Sequence, residues 1–155
     1  MSSGKVHGKV TVAMTLPVSL GAFAWSNSLS TTALVTAGCL LGLVIEPDLD
    51  VDHVTASETR MIKLLGPLGL LWVVLWHPYA KLINHRSPLS HYPVLGTVLR
   101  YAYLLMIVLA LSIPVGLVIG DGEWLIRFLS TNKQAVLLLM AGNAISDIGH
   151  WIMDQ

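Results

Sequence analysis

Apolar residues in this chain are gathered into long runs separated by short polar blocks. The first run covers 10–25 and is interrupted by Pro17, which a membrane helix tolerates better than a soluble one. A chargeless turn at 26–30 leads to a second run at 31–45, in which Gly38 and Gly42 are spaced for close helix contact. The run at 64–76 has only thirteen residues, about 20 Å of helix against a hydrocarbon core of about 30 Å, and contains Gly66, Pro67 and Gly69. It predicts a re-entrant or interfacial helix, with Trp72 and Trp76 at headgroup level. The run at 94–119 is the longest, with Arg100 near its start and Pro114 inside. A polar connection at 120–133 precedes a last helix at 134–152. The pattern predicts an all-α polytopic membrane bundle of about four transmembrane helices plus one short re-entrant helix, forming one domain over residues 1–155.

Composition agrees. Hydrophobic residues make up 54% of the 155 and charged residues 12%, about half the usual share of a soluble domain. Mean hydropathy is +0.70. Net charge is zero, so there is no basic footprint for nucleic acid. One cysteine, Cys39 in an apolar run, excludes a disulfide framework, and six histidines favour N/O ligation of any metal. The N-terminus lacks the pattern of a cleaved signal peptide.

The polar blocks carry the candidate chemistry. At the C-terminus, Asp147, His150 and Asp154 fall within about 60° of one another on a helix. Two carboxylates and an imidazole on one face are costly to bury without a cation among them, and a divalent metal accepts such mixed ligands. The block Glu46-Pro47-Asp48-Leu49-Asp50 breaks the second helix at Pro47. It is expected to run extended, with Asp48 and Asp50 on one side. His85 and His91 lie in a third block and His7 near the N-terminus; His77 is expected to ligate nothing.

These clusters also test the topology. If every apolar run crossed the bilayer, His7 with Asp48 and Asp50 would lie on the face opposite His85, His91 and the C-terminal motif. If 64–76 does not cross, all of them meet on one face. That face then carries Lys5, Lys9, Arg60, Lys63, Lys81, Arg86 and Arg100, against Arg127 and Lys133 opposite. The positive-inside rule makes it cytoplasmic, with both termini inside.

Five motifs occur in order: Ser3-Gly4-Lys5-Val6-His7, Pro47-Asp48-Leu49-Asp50, His85-Arg86-Ser87-x-Leu89-Ser90-His91, Gly96-Thr97-x-x-Arg100, and Ser146-Asp147-x-x-His150-x-x-x-Asp154. Together they resemble an uncharacterised family of predicted metal-binding membrane proteins, common in bacteria and cyanobacteria. That family is similar in turn to the YdjM-type membrane-bound metal-dependent hydrolases. The chain departs from the pattern at Val6 and Gly8, where the family has Thr and Asp around the histidine, and at Tyr92, where it tends to have Gly. A looser likeness is to zinc-dependent phospholipase C. The resemblance implies a bacterial inner or cyanobacterial membrane location.

Eight side chains are then candidate metal ligands: His7, Asp48, Asp50, His85, His91, Asp147, His150 and Asp154. One zinc needs about four, so eight suit two ions, or one ion with partners behind its ligands; manganese and iron are the alternatives. The expected activity is metal-dependent hydrolysis of a phosphoester or lipid headgroup at the cytoplasmic face. Asp50 or Asp154 would be the general base, and Arg86 the anion-holding group. The alternatives are a non-catalytic metal-binding membrane protein, structural or regulatory, and a metal transporter. The expected partners are the lipid bilayer and a phospholipid or other phosphorylated substrate, with homo-oligomerisation permitted by the Gly38–Gly42 spacing.

Overall fold

The computed structural model describes residues 4–51, 53–85 and 87–155, and among these it is helical, with no strand. Helix α1 (Gly4–Ser26) carries Pro17 inside it, and α2 (Leu29–Leu41) runs back from it after a two-residue turn. Asn27 takes the left-handed conformation there (φ 49°) and the Ser28 hydroxyl accepts from the Thr31 N–H, capping α2. A 3-10 turn at Pro47–Asp50 leads to α3 (Ala56–Leu65), which opens on a reciprocal Thr55–Glu58 capping box. A second 3-10 turn, Gly66–Gly69, joins α3 to α4 (Leu70–Leu82). The four-residue α5 (Pro88–His91) precedes α6 (Pro93–Ile119), which ends on left-handed Gly120. Helix α7 (Trp124–Asp154) closes the chain.

The bundle is built on α7, which packs against α1, α2 and α6. Its crossing with α2 brings backbone to backbone. A methyl group on Gly142 would overlap the Val35 carbonyl, and one on Gly38 would overlap the Leu139 carbonyl. Gly42 leaves room for the Ser146 side chain in the same way. The two small residues of α2 are therefore used inside the chain. The Thr11 and Ser146 hydroxyls, 3.0 Å apart, tie α1 to α7. Beside these, Trp76 and Tyr79 of α4 pack with Tyr103 of α6 and with Ile45 and Leu49. Large apolar side chains cover the outside, among them Leu16, Leu20, Trp25, Leu117 and Val118.

Three segments are long and apolar enough to cross a membrane by length and composition: Ala56–Leu82, Pro93–Ile119 and Trp124–Asp154. This set differs from the runs at 10–25, 31–45, 94–119 and 134–152 read from the sequence. Counting only uninterrupted apolar letters undervalues 56–82, because the helix continues through polar residues on both sides. That segment is not one straight rod. Gly66 (φ 59°, ψ −137°) turns the chain so that Gly69 meets the backbone of Ile62. Seven residues of straight helix would hold those two about 10 Å apart.

Two further expectations are corrected. The 46–50 strip is not extended. Pro47, with its φ already set, starts a 3-10 turn, so Asp48 and Asp50 diverge instead of sharing a side. The 120–133 connection is mostly helix, because nothing after Gly122 breaks it and its polar side chains stay exposed. Ser130 and Asn132 donate to carbonyls one turn back.

Candidate metal centre

Four chain segments deliver polar side chains to one end of the bundle. His7 sits in the first turns of α1, and Asp48 and Asp50 follow α2 on the 3-10 turn. His85 and His91 come from the segment that enters α6, and His150 and Asp154 from the last turns of α7. Among the described residues three overlapping groups result: His7 with His150 and Asp154; Asp48 with His91 and His150; and Asp50 with His85 and His91. His150 and His91 each belong to two groups, so the seven residues form one continuous cluster.

The spacings fit an ion better than hydrogen bonds. His7 Nε2 lies 3.3 Å from Asp154 Oδ1, and His150 Nε2 lies 3.3 Å from Asp154 Oδ2. Asp48 Oδ1 lies 3.5 Å from His150 Nε2 and 3.8 Å from His91 Nε2. Those two Nε2 atoms are buried and make no hydrogen bond. Two ligands each about 2.0–2.1 Å from one tetrahedral ion stand about 3.3 Å apart. The donor atoms therefore fit a divalent metal in the group of His7, His150 and Asp154 or in the group of Asp48, His91 and His150, which share His150. The rings of His7 and His150 stack at 3.7 Å, nearly parallel, so neither imidazole can tilt without moving the other.

Asp50 plays a different part in this geometry. It is 2% exposed, and its Oδ1 takes a 2.7 Å hydrogen bond with His85 Nδ1. Its Oδ2 stands 3.6 Å from His91 Nδ1, on the opposite side of that ring from Asp48. A carboxylate behind an imidazole fixes its tautomer and ring plane. The Ser90 hydroxyl, 2.8 Å from the same Nδ1, does likewise.

Asp147 shares the His150 face of α7 but lies one turn deeper, outside the three groups. Its carboxylate accepts from the Arg100 guanidinium and the Thr97 hydroxyl of α6. Arg100 and Asp147 are 0% and 1% exposed, so the pair is closed to water. Arg100 also donates to the Ser90 carbonyl at 3.1 Å, and Asn143 donates to the Ile45 carbonyl at 3.1 Å. This network holds together α6, α7, the end of the α2 segment and the loop that presents His91. One signal for it is present in the sequence, since a lone arginine in an apolar run needs a buried partner and Asp147 is the acid on the facing run. Nothing in the spacing marks Glu46 out from the other acids of its block. It is 2% exposed, accepts from the Ser57 N–H at 2.9 Å and lies 3.5 Å from Arg60. Arg60 in turn donates to the Leu43 carbonyl, which fastens the loop around Asp48.

Burial would raise the Asp48 carboxyl, but the facing imidazoles of His150 and His91 outweigh it and hold it well below the usual carboxylate range. Burial pushes Glu46 up to about 7 against the pull of Arg60. Arg86 lies outside the described residues. His77 belongs to none of the three groups. An open cleft of about 240 Å³ reaches the cluster, lined by Ser87, His91, Tyr92, Trp151 and Asp154 among others. Tyr92, which stands where a glycine would leave more room, forms part of its wall.

No curated protein and no solved structure was found to match the chain. One family does match, over residues 2–155, and it is described as "uncharacterized metal-binding protein (DUF2227)". With nearly its whole length matched and a cluster of histidines and aspartates gathered at one end of the bundle, the chain belongs to this metal-binding family.

Proposed function

We propose that the protein is an integral membrane metal-dependent hydrolase acting on a phosphoester or lipid headgroup at the cytoplasmic face. The observation that carries this reading is the cleft that opens directly onto His91 and Asp154, two members of the ligand cluster. A site that only stores a metal has no need of such an opening. Zinc is the favoured ion for such mixed groups of imidazoles and carboxylates, with manganese and iron as alternatives. A bound metal would supply Lewis acidity and lower the pKa of a coordinated water. Asp154 is 17% exposed and lines the cleft, which suits it to accept a proton. Buried Asp50, engaged by His85, suits an orienting role better.

The membrane reading, with four crossings by α1, α2, α6 and α7 and both termini cytoplasmic, rests on the apolar exterior and the grouping of the cluster at one end; α2, thirteen residues long, reaches span length only with the hydrogen-bonded turns at 42–45 that continue it. The turn at Gly66 lets α3 and α4 fold back without crossing.

A non-catalytic, structural or regulatory metal site is favoured by a different observation. Each three-residue group borders the next through His150 or His91, so a neighbouring side chain can take an ion's fourth position in place of water. The test is elemental analysis of detergent-purified wild type and a His150→Ala/Asp154→Ala variant, followed by assay of the metal-loaded wild type on phosphodiester and phospholipid substrates. Bound metal lost in the variant together with metal-dependent turnover supports hydrolysis. Bound metal without turnover of any substrate supports the second reading, and wild type that takes up no ion refutes both.

A further inference from the structure

A second feature lies outside the metal cluster. Between the start of α1 and α3 runs a wide groove of about 630 Å³, lined by Gly8, Lys9, Val12, Ala13, Leu43 and Arg60. Its lining is largely apolar, with two cations and no acid. Lys9 is exposed, and Arg60 is held in place through its Nη1, which reaches the Leu43 carbonyl and Glu46. Its Nη2 stands over Gly8, where a side chain would displace it. Lys63, one turn along α3, is also exposed. Beyond the cations the surface turns apolar: Val12 is 57%, Leu16 67% and Leu64 76% exposed. The order along α1 is therefore cation, then apolar groove, then bare aliphatic helix.

We propose that this groove binds an anionic phospholipid, its phosphate between Lys9 and Arg60 and its acyl chains along Val12, Ala13 and Leu16. Charge complementarity selects the occupant: two cations at the mouth of an apolar groove, one of them held in place, match a net-negative headgroup attached to hydrocarbon. A soluble anion would leave the apolar wall unused, and a zwitterionic lipid would bring its own ammonium to the cations. The amphipathic α3, with Arg60 and Lys63 beside Leu64 and Leu65, is the composition of a helix lying in the membrane interface. The inference rests on the membrane reading but not on hydrolysis or on the metal.

The experiment is native mass spectrometry of the detergent-purified full chain titrated with phosphatidylglycerol or phosphatidylcholine of identical acyl chains. Phosphatidylglycerol is expected to bind at least about fivefold more tightly. Lys9→Gln is expected to remove about a fivefold factor while leaving metal content unchanged. Because Arg60 also ties the Asp48 loop, it is tested as Arg60→Lys, which keeps the charge and the preference. Equal binding of the two lipids, an unaltered preference in Lys9→Gln, or displacement of the lipid by millimolar inorganic phosphate would overturn the proposal. Failure of the membrane reading looks different: the chain would then stay in solution without detergent.

Discussion

Arg100 and Asp147 form a charge pair with 0% and 1% exposure, in the part of the bundle where α6 faces α7. Replacing Arg100 with Met keeps most of its apolar length but strands an ionised carboxylate beside Thr97 and Asn143. Breaking a buried pair in this way costs about 3–5 kcal/mol. For a chain of this length that corresponds to a fall in Tm of about 6–20 °C. Asp147→Asn is nearly isosteric and strands the guanidinium instead, with a cost of similar size. The double variant Arg100→Met/Asp147→Asn removes both charges and is expected to recover about 2–3 kcal/mol relative to the sum of the singles. The assay is thermal unfolding in detergent, with and without metal, plus metal content by elemental analysis. The metal content separates two roles for Asp147. As Arg100's partner, its Asn variant binds metal in normal stoichiometry once folded. As a ligand, the Asn variant would fold yet lose metal, while Arg100→Met would keep it. That second pattern, or singles costing less than about 1 kcal/mol with an additive double, would refute the reasoning.

Three further outcomes are expected. Gly142→Ala places a methyl group against the Val35 carbonyl, a backbone contact that cannot yield by rotamer change, and should lower stability by about 1–3 kcal/mol or more; an unchanged melting temperature would contradict the α2–α7 crossing. Metal affinity should fall as pH is lowered, because imidazoles must be neutral to ligate whereas Asp48 stays ionised well below the usual carboxylate range; a metal affinity unchanged between about pH 8 and pH 5 would count against histidine ligation. His85 has a side chain 39% exposed and hydrogen-bonded to Asp50, so His85→Ala should leave at least one metal per chain bound at the His7, His150 and Asp154 end; complete metal loss would show that the cluster cannot be divided.

Much of this was legible in the sequence, for definite reasons. Apolar runs fix helices because helical backbone satisfies its own hydrogen bonds, so the helical class follows from run length alone. The polar blocks at the run ends follow equally, since ionisable groups collect where chain reversals place them. What the sequence could not display was which side chain faces which neighbour. Asp147, His150 and Asp154 share one stripe of α7, yet α6 approaches the deeper part of it and presents Arg100 there. The upper part meets His7 and Asp48 instead. Spacing defines a stripe, and only the packing divides it. The same holds for Asp48 and Asp50, where one dihedral choice at Pro47 sends two neighbouring carboxylates to opposite sides of the His91 ring.

That division suggests how the centre and the fold depend on each other. In the Arg100–Asp147 network both charges are matched, with further hydrogen bonds to Ser90 and Thr97, although Arg100 Nε and Asn143 Oδ1 are buried without hydrogen bonds. It can hold α6, α7 and the His91 loop together with no ion present. The outer cluster lacks such a close charge pair at its centre: the Nε2 atoms of His91 and His150 are buried without hydrogen bonds and both face one carboxylate oxygen of Asp48 at 3.8 and 3.5 Å. Buried polar atoms left in that condition carry a cost that a ligand removes, and an ion that binds only the folded chain stabilises it by RT ln(1 + [L]/Kd). At a free concentration about 1,000 times Kd this is about 4 kcal/mol. Metal removal should therefore loosen the chain ends around His7 and Asp154 and the 46–50 turn before it affects the α6–α7 interface. Hydrogen exchange of the metal-free protein would show this as faster exchange at residues 7–10, 46–51 and 150–154 with 97–103 still protected. Uniform loss of protection would mean that the inner network cannot stand without the outer centre.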